Sequence, residues 1–385
     1  MSDFPREILP YGVFSEGDGR RRIGVALDDK IVDAAALAEA GRLDATLAAP
    51  SLNPFLAAGR QTWSGTRQRL QALLQDGSAE RYLLPRESAR LHMPIEIGDY
   101  VDFYSSIEHA SNVGKLFRPG GDPLTPNYRH MPIGYHGRSS TISIGDTVRR
   151  PRGQIKDPSA DAPIFGPSRQ LDFELELGFV IGSSNADGRP IRSEQAGDYL
   201  FGVVLLNDWS ARDFQSWEGQ PLGPFLSKSF ATTISPWIVP VEALASRRVA
   251  NRAQEPAPLP HLAVREPWAF DFELAVSLQT AAMQRTGGHE ITRVNFRNMY
   301  WNAAQQLAHL TSNGSIVRAG DLHGSGTVSG TEPGSYGSLL EATLRGARPL
   351  ALPDGETRTF LEDGDTVVMR CDVLGEQRVT VLPPV

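Results

Sequence analysis

The 385-residue sequence has a single cysteine and no long apolar run. The one cysteine, Cys371, excludes a disulfide within the chain and any cysteine-rich zinc or iron–sulfur site. The longest strongly apolar stretch, residues 199–206, is far shorter than the ~20 residues that span a bilayer. The first ten residues also lack the apolar core of a signal peptide. We therefore expect a soluble, cytoplasmic protein.

Basic residues are not in excess either. Lysine and arginine total 38 against 45 aspartate and glutamate, which gives a formal net charge of −7. A mildly acidic chain has no overall positive field to attract nucleic acid or an anionic membrane. We expect neither as a partner, which leaves a small molecule as the more natural ligand.

The composition is that of an ordinary globular protein, with 40% hydrophobic and 22% charged residues, and this argues against disorder, a collagen-like chain or a coiled coil. The 37 glycines and 28 prolines, together with short alternating segments, favour strands and tight turns over a helical bundle. The sequence thus predicts a strand-rich α+β protein. A polar connection over residues 77–92 indicates a boundary near residue 94, between a small N-terminal domain (1–93) and a large C-terminal domain (94–385).

Local patterns predict the main elements of both domains. In the N-terminal domain, strands are expected within residues 11–33, and Trp63, Leu70, Leu73 and Leu74 form an apolar stripe at helical spacing. The strands expected in the C-terminal domain cover residues 141–148, 171–181, 270–278 and 366–381, and the best helix covers 297–312. The apolar run 199–206 fits either a strand buried on both faces or a core helix. Four tryptophans are most simply core aromatics: Trp209, Trp217, Trp237 and Trp301.

Two glutamates lie in an alternating segment, residues 171–177, whose odd positions are apolar. In a strand, Glu174 and Glu176 would share one face, about 6–7 Å apart. Such a pair fits either a solvated sheet face or a site that holds something positive between the two charges. The segment alone leaves both readings open.

Two further acids occupy positions where strands or helices are expected to end or begin. Asp208 follows the run 199–206, where catalytic groups are commonly presented, although it could equally cap a helix. Asp102 lies just before a helix that Ser105 and Glu108 would start with a capping box. With Glu174 and Glu176 these acids would form an all-oxygen set suited to Mg²⁺ or Ca²⁺ rather than zinc, but the sequence alone does not bring them together.

Several motifs spread along the chain match a known family. They are Asp102-Phe103-Tyr104-Ser105-Ser106 followed by His109, Pro132-Ile133-Gly134-Tyr135-His136-Gly137-Arg138, the segment 171–177, Asn207-Asp208-Trp209-Ser210-Ala211-Arg212-Asp213, Pro221-Leu222-Gly223-Pro224-Phe225-Leu226 with Lys228, and Gly326-Thr327-Val328-Ser329-Gly330. Together they resemble the fumarylacetoacetase, or fumarylacetoacetate hydrolase, family. The segment 207–213 alone marks the wider superfamily, whereas residues 9–14 and the segment 132–138 point to fumarylacetoacetases themselves. The similarity runs from near residue 9 to the end.

The resemblance implies a homodimer whose subunit has an SH3-like N-terminal barrel and a C-terminal mixed β-sandwich roll. It implies the metal-dependent hydrolysis of the carbon–carbon bond of 4-fumarylacetoacetate to fumarate and acetoacetate, the last step of tyrosine and phenylalanine degradation, with Mg²⁺ or Ca²⁺ as cofactor. By motif position, the cation ligands would be Asp102, Glu174, Glu176 and Asp208, with Lys228 and Thr232 at or beside the metal. The water-activating base would be His109, oriented by Glu341. The oxyanion site would be Arg212, Gln215 and Lys228, and the substrate contacts would be Tyr104, Arg118, Tyr135, Gln215 and Thr327.

One position departs from the family pattern. A tyrosine that contacts substrate usually follows the Trp-Glu pair, but here Trp217-Glu218 is followed by Gly219. The phenol donor is lost there, which affects substrate binding without touching the metal ligands or the base.

The expected chemistry explains why these residue types belong together. A neutral histidine, with an unperturbed pKa of about 6.5, can take a proton from water, and a carboxylate behind it would fix its tautomer. Arg212 and Gln215, three apart on a probable helix, would share a face and could stabilise an alkoxide. A divalent cation would let the departing carbanion leave as an enolate.

Other readings of the sequence stay open. Taken alone, His109 is more readily an exposed or structural helix histidine, and Arg212 is more readily a surface partner of Asp213 or Glu218. At the level of the whole protein the alternatives are another β-diketone or acylpyruvate hydrolase or decarboxylase of the same superfamily, and a catalytically silent metal-binding scaffold. The segment 326–330 lacks the Gly-Lys-Ser/Thr ending of a P-loop, so we do not expect nucleotide binding.

Overall fold

The computed structural model describes residues 4–157, 159–285 and 287–385. Its N-terminal part is an antiparallel sheet with helices packed against it. The strands are β1 (Tyr11–Glu16), β2 (Arg22–Leu27), β3 (Lys30–Asp33), β4 (Leu83–Pro85) and β5 (Ala89–His92), and the helices are α1 (Ala34–Glu39), α2 (Asn53–Ala57) and α3 (Arg60–Gln75). The strand order is β4-β3-β2-β1-β5. Over the described ranges β4 and β5 do not pair with each other, so the closed SH3-like barrel stays a prediction.

The N-terminal sheet and the rest of the chain share one apolar core. Tyr11 of β1 and Ile238 exchange backbone hydrogen bonds of 2.9 and 2.7 Å. The predicted stripe of α3 is confirmed, because Trp63, Leu70 and Leu73 are buried. The Trp63 ring lies 5.2 Å from that of Phe201 in an edge-to-face contact, which ties α3 to the larger sheet.

The C-terminal part contains the remaining elements. Its helices are α4 (Ile107–Phe117), α5 (Ala196–Tyr199), α6 (Arg212–Glu218), α7 (Leu226–Ser229), α8 (Ala303–Thr311) and α9 (Leu339–Ala342). Its strands are β6 (Tyr100–Phe103), β7 (Gly134–His136), β8 (Ile142–Ser143), β9 (Thr147–Arg149), β10 (Arg152–Ile155), β11 (Ile164–Pro167), β12 (Leu171–Asp172), β13 (Leu175–Ile181), β14 (Leu200–Asp208), β15 (Ser210–Ala211), β16 (Thr232–Ile234), β17 (Val239–Pro240), β18 (Arg248–Val249), β19 (Ala269–Phe270), β20 (Glu273–Gln279), β21 (His289–Asn295), β22 (Leu322–Gly324), β23 (Leu350–Ala351), β24 (Thr357–Arg358), β25 (Thr366–Cys371) and β26 (Gly375–Leu382).

Two mixed sheets organise this part. The larger has the order β7-β6-β22-β13-β14-β16-β8, with β17 also paired to β14, and the smaller has the order β21-β20-β25-β26-β9. Within the apolar run 199–206, Tyr199 ends α5 and the remaining residues lie in a strand that is buried on both faces, because all nine residues of β14 are buried. Antiparallel pairing of Leu175 with Asn207 brings the start of β13 to the end of β14. The predicted strand-rich α+β class is confirmed.

Several predicted elements differ from the observed ones. The segment 141–148 holds two short strands, β8 and β9, which belong to different sheets, and the segment 270–278 spans the end of β19 and most of β20. The segment 171–181 is two strands, β12 and β13, separated by Phe173 and Glu174. The helix expected over 297–312 is the shorter α8, because Asn302 and Gln305 form a capping box that starts it at Ala303. The helix expected at Ser105 begins two residues later as α4.

No helix within the described ranges is long and apolar enough to cross a membrane.

The thiol of Cys371 lies in the core of the smaller sheet, where burial raises its pKa to about 12. Because the thiolate is the reactive form, we expect the native protein to be inert to Ellman's reagent at pH 8. One thiol per chain should react after unfolding in guanidinium chloride. Stoichiometric labelling of the native protein would contradict this placement.

Candidate active site

A cavity of about 700 Å³ opens beside the ends of β6 and β13 and the helices α4 and α6. It brings together most of the residues that the sequence singled out. Those lining it are Asp102, Tyr104, His109, Arg118, Tyr135, Glu174, Glu176, Arg212, Gln215, Lys228 and Thr327. The remaining three, Asp208, Thr232 and Glu341, are buried behind this wall: Asp208 contacts Lys228, Glu341 contacts His109, and Thr232 contacts Asp208.

His109 is held by a carboxylate from a distant part of the chain. It lies in the first turn of α4, which Ser106 caps by accepting a hydrogen bond from the His109 backbone N–H. Its Nδ1 lies 2.7 Å from Oε2 of Glu341 in α9, and both side chains are buried. The other ring nitrogen, Nε2, has no protein partner within the described ranges, and the ring lines the cavity.

The Glu341 carboxylate is kept ionised by its surroundings. Burial alone would raise its pKa, but His109 and hydrogen bonds from Asn112 and Ser338 outweigh burial and lower it. Ser329 donates a further hydrogen bond of 2.9 Å. An ionised Glu341 accepts a hydrogen bond from the Nδ1–H group of a neutral His109. The other ring nitrogen, Nε2, is then left as a hydrogen-bond acceptor on the cavity side.

Three buried acids come together near the ends of three strands of the larger sheet. One oxygen each of Asp102 (β6), Glu176 (β13) and Asp208 (β14) lie within 4.8 Å of one another. Burial, followed by repulsion from Asp102 and Asp208, raises the pKa of Glu176 well above its usual value. Burial likewise raises the pKa of Asp102 to about 6, although Arg138 opposes the shift.

The acid cluster has the donor set that a hard cation requires. Oε2 of Glu176 accepts the backbone N–H of Gly326 at 3.0 Å, whereas its buried Oε1 has no hydrogen-bond partner within the described ranges. A buried carboxylate oxygen without a partner is unfavourable unless a cation contacts it. Carboxylate oxygens converging from three strands therefore fit Mg²⁺ or Ca²⁺ better than a softer metal.

Arg138 contacts this cluster and was not assigned a role from the sequence. Its guanidinium lies 2.6 Å from Asp102 and 3.0 Å from Asp208. The same group is 4.9 Å from the Tyr100 ring centroid and 5.1 Å from that of Tyr135. Its place at the end of the segment 132–138 was the available signal, but nothing in that motif reveals which acids it meets.

Lys228 and Thr232 both contact acidic side chains of the site. The Lys228 ammonium lies 2.8 Å from Glu174 and 2.5 Å from Asp208. Burial alone would lower the pKa of Lys228, but Asp208 and Glu174 outweigh burial and raise it. Thr232 donates a 3.3 Å hydrogen bond to Asp208. Both residues are therefore placed as partners of acidic side chains.

Glu174 stands apart from the other three acids. Its two oxygens pair with Arg212 at 2.7 Å and Lys228 at 2.8 Å. Burial would raise the pKa of Glu174, but these two cations lower it well below its usual value. It lines the cavity and contacts Arg212, so the four expected acids lie in one region while only three of them converge.

Arg212 is positioned by an acid that the sequence analysis did not single out. Its Nε lies 2.9 Å from Asp172, which also accepts the backbone N–H groups of Leu339 and Leu340 at 2.8 and 2.9 Å. Asp172 thus joins Arg212 to the start of α9, the helix that carries Glu341. The same alternation that marked Glu174 and Glu176 includes position 172 and was the available signal.

One arm of Arg212 remains open. Its NH1 donates to Gln215 at 3.1 Å, whereas the buried NH2 has no hydrogen-bond partner within the described ranges. Thr327, also on the cavity wall, has a buried Oγ1 without a partner over the same ranges. These unused donors can serve a ligand's oxygen atoms.

Aromatic and basic residues complete the cavity wall. The Tyr104 ring packs edge to face on His109 at 5.4 Å, and Arg118 is exposed at the mouth with its guanidinium hydrogen-bonded to the backbone oxygens of Asp122 and Pro123. Gly219 also lines the wall, and a Cβ there would come within 2.7 Å of the Gln215 carbonyl oxygen. A tyrosine could enter only if the end of α6 moved.

Comparison with known proteins agrees with these motifs. Two family models match, "Fumarylacetoacetase N-terminal" over residues 7–94 and "Fumarylacetoacetate (FAA) hydrolase C-terminal" over residues 100–382. Curated fumarylacetoacetases of Rattus norvegicus and Homo sapiens are 44% and 45% identical, over 96% of this chain and 91% of theirs. That of Caenorhabditis elegans is 46% identical over 99% of this chain and 97% of its own.

The fold agrees as well. A fumarylacetoacetate hydrolase structure from psychrophilic Exiguobacterium antarcticum superposes with a TM-score of 0.59 at 18% identity, covering 97% of this chain and 99% of that chain. With two family models spanning nearly the whole length and relatives above 40% identity, the chain belongs to the fumarylacetoacetate hydrolase family.

Proposed function

We propose that this protein is a metal-dependent fumarylacetoacetase, which hydrolyses 4-fumarylacetoacetate to fumarate and acetoacetate at the end of tyrosine and phenylalanine degradation. The observation that carries the proposal is that the His109–Glu341 pair, the unpaired NH2 of Arg212 and a buried acid cluster meet at one cavity. Similarity over the whole length to fumarylacetoacetases supports the substrate.

In this proposal His109 is the general base. Its Nε2 takes a proton from a water molecule in the cavity, and the water oxygen attacks the fumaryl carbonyl carbon. Glu341 holds the ring in the required tautomer and stabilises the imidazolium that results. The packed ring of Tyr104 keeps the imidazole in place.

Hydrogen-bond donors on the other side of the cavity stabilise the negative charge that develops on the carbonyl oxygen. Arg212, through its open NH2, is the first of these, with Gln215 and Lys228 beside it. Donors that are already in place are typically worth about 3–4 kcal/mol each in barrier height, because no reorganisation is needed during the reaction. Asp172 fixes Arg212 for this role.

The cation would be Mg²⁺ or Ca²⁺, held by Asp102, Glu176 and Asp208. When bound it supplies a positive charge that lets the acetoacetate carbanion leave as an enolate. Glu174 as a fourth ligand, and Lys228 and Thr232 as neighbours of the metal, stay predictions. Substrate contacts are proposed for Tyr104, Arg118, Tyr135, Gln215 and Thr327, all of which line the cavity.

Gly219 favours a second candidate within the same superfamily. Without the family's tyrosine, the wall beside Gln215 carries no phenol donor, and this could suit a different β-diketone or an acylpyruvate. The catalytic groups would keep the same roles. The substrate, not the chemistry, separates the two candidates.

We also propose that the protein forms a homodimer. Exposed apolar side chains cluster where α6 meets the β10–β11 hairpin: Trp217, which is 43% exposed rather than a core aromatic, donates a hydrogen bond to Gln154, and Gln154 pairs across the hairpin with Phe165. The other exposed apolar residues nearby in the chain are Leu222, Phe225 and Leu226. A patch of this kind is typical of an interface.

The domain division at residues 1–93 and 94–385, the SH3-like barrel and the cytoplasmic location stay predictions.

Turnover of 4-fumarylacetoacetate tests the proposed function directly. We expect loss of the conjugated diketone absorbance, release of one fumarate and one acetoacetate, inhibition by a chelator and recovery on adding Mg²⁺ or Ca²⁺. Acylpyruvates under the same conditions serve as the comparison. Preference for an acylpyruvate over 4-fumarylacetoacetate would overturn the substrate assignment and support the second candidate.

A further inference from the structure

We propose that Arg345, at the mouth of the cavity, is a second anchor for a carboxylate of the substrate and contributes to specificity for dianionic diketones. This inference rests on the proposed function, because 4-fumarylacetoacetate carries a carboxylate at each end. Arg345 lines the same cavity as His109 and Arg212. No role was assigned to it from the sequence.

Arg345 lies at the mouth of the cavity because it belongs to the turn that ends α9. Leu344 and Arg345 both have left-handed conformations, with φ of 49° and 59°. Their backbone N–H groups return to the carbonyls of Glu341 and Leu340 at 3.1 and 2.8 Å. Two successive non-glycine residues in this region are unusual and are tolerated where the surrounding hydrogen bonds enforce them. The helix that carries Glu341 therefore also fixes the start of the Arg345 side chain.

An aromatic ring fixes the other end of that side chain. The Arg345 guanidinium lies 4.8 Å from the ring centroid of Phe117, which is 43% exposed at the end of α4. Phe117 follows His109 by eight residues, about 12 Å along the helix. The helices that hold the His109–Glu341 pair thus also hold the Arg345–Phe117 stack, so the distance from base to mouth is set by rigid elements.

Arg345 differs from the other cations at the cavity, because those already have partners. The deep end carries the acid cluster and Glu174, and the cations there, Arg138, Arg212 and Lys228, are paired with these acids. At the mouth, the Arg118 guanidinium is bound by backbone carbonyls. Arg345 has no hydrogen bond or ion pair from its side chain within the described ranges, so its donors are open to a ligand. A planar guanidinium with free donors binds a carboxylate well.

The test compares Arg345→Gln with Arg345→Lys and with Arg348→Gln as the matched control. Arg348 is an exposed arginine in the same turn that does not line the cavity. With 4-fumarylacetoacetate we expect Arg345→Gln to raise KM about tenfold with kcat within twofold, Arg345→Lys to fall between, and Arg348→Gln to match the wild type. One of the two monomethyl esters of the substrate should show no KM difference between the wild type and Arg345→Gln.

An active wild type with an unchanged KM for Arg345→Gln would overturn the anchor and leave the proposed function standing. Equal KM increases in Arg345→Gln and Arg348→Gln would also overturn it, because they would indicate general electrostatic attraction. A wild type that does not cleave 4-fumarylacetoacetate would remove both proposals together.

Discussion

Replacing His109 by glutamine should lower kcat by about a thousandfold, with KM changed by no more than a few-fold. Glutamine has no group that accepts a proton near neutral pH, and positioned general bases contribute about 10²–10⁴ in rate. The Glu341 carboxylate would remain buried among Asn112, Ser329 and Ser338, which already donate to it. The local structure should therefore survive, and thermal unfolding of the variant would verify that it does.

Glu341→Gln provides the graded comparison. It keeps the shape and a hydrogen-bond partner for Nδ1 of His109 but removes the charge that stabilises the imidazolium. We expect its kcat to fall between those of the wild type and His109→Gln. A His109→Gln protein that binds acetoacetate and still turns over at the wild-type rate would remove His109 from the role of base.

The second large expected effect is a change in the free energy of unfolding when Glu176 is replaced by glutamine, with and without the cation. In the presence of chelator, Glu176→Gln should be more stable than the wild type, because it removes a carboxyl group whose ionisation is disfavoured by burial and by Asp102 and Asp208, and whose Oε1 has no partner within the described ranges. Saturating Ca²⁺ should raise the free energy of unfolding of the wild type by about 3 kcal/mol at a hundred times Kd, but that of the variant hardly at all. Glu176→Gln should lose its activity together with its stabilisation by Ca²⁺.

Glu174→Gln is the matched control for this experiment. Its carboxylate is already paired with Arg212 and Lys228, so its neutralisation would leave two buried cations with fewer partners. We expect this variant to be less stable than the wild type in chelator, by several kcal/mol. Denaturant unfolding with and without Ca²⁺ measures both variants. If Glu176→Gln and Glu174→Gln shifted stability in the same direction, the distinction drawn here between the two glutamates would be wrong.

The sequence predicts the strands of the site better than the direction of their side chains. Periodicity could not separate a strand from a helix over residues 199–206, because a continuous apolar run satisfies both patterns. The structure has a strand there, because β14 lies between β13 and β16 in the larger sheet. Glu174 and Glu176 were expected on one strand face, yet the strand is interrupted at Glu174, where the Asn207 side chain accepts the backbone N–H at 3.1 Å. A contact between residues this far apart in sequence leaves no local signature.

The same limit explains the residues that gained a role only from the structure. Asp172 meets Arg212 and the start of α9, which lie far along the chain, and Arg138 meets acids on two other strands. Motif resemblance named the residues that act on substrate because such residues define the motif. It could not name Asp172, Arg138 or Arg345, whose proposed roles depend on where the fold places their partners.

The proposed mechanism requires one divalent cation and one imidazole to face the same cavity. Anomalous diffraction from crystals soaked in Mn²⁺, which prefers the same oxygen ligands, would locate the ion directly. We expect a peak in contact with Asp102, Glu176 and Asp208, beside the cavity that the His109 ring lines. A crystal with no ion at these carboxylates, or with His109 turned away from that cavity, would contradict it.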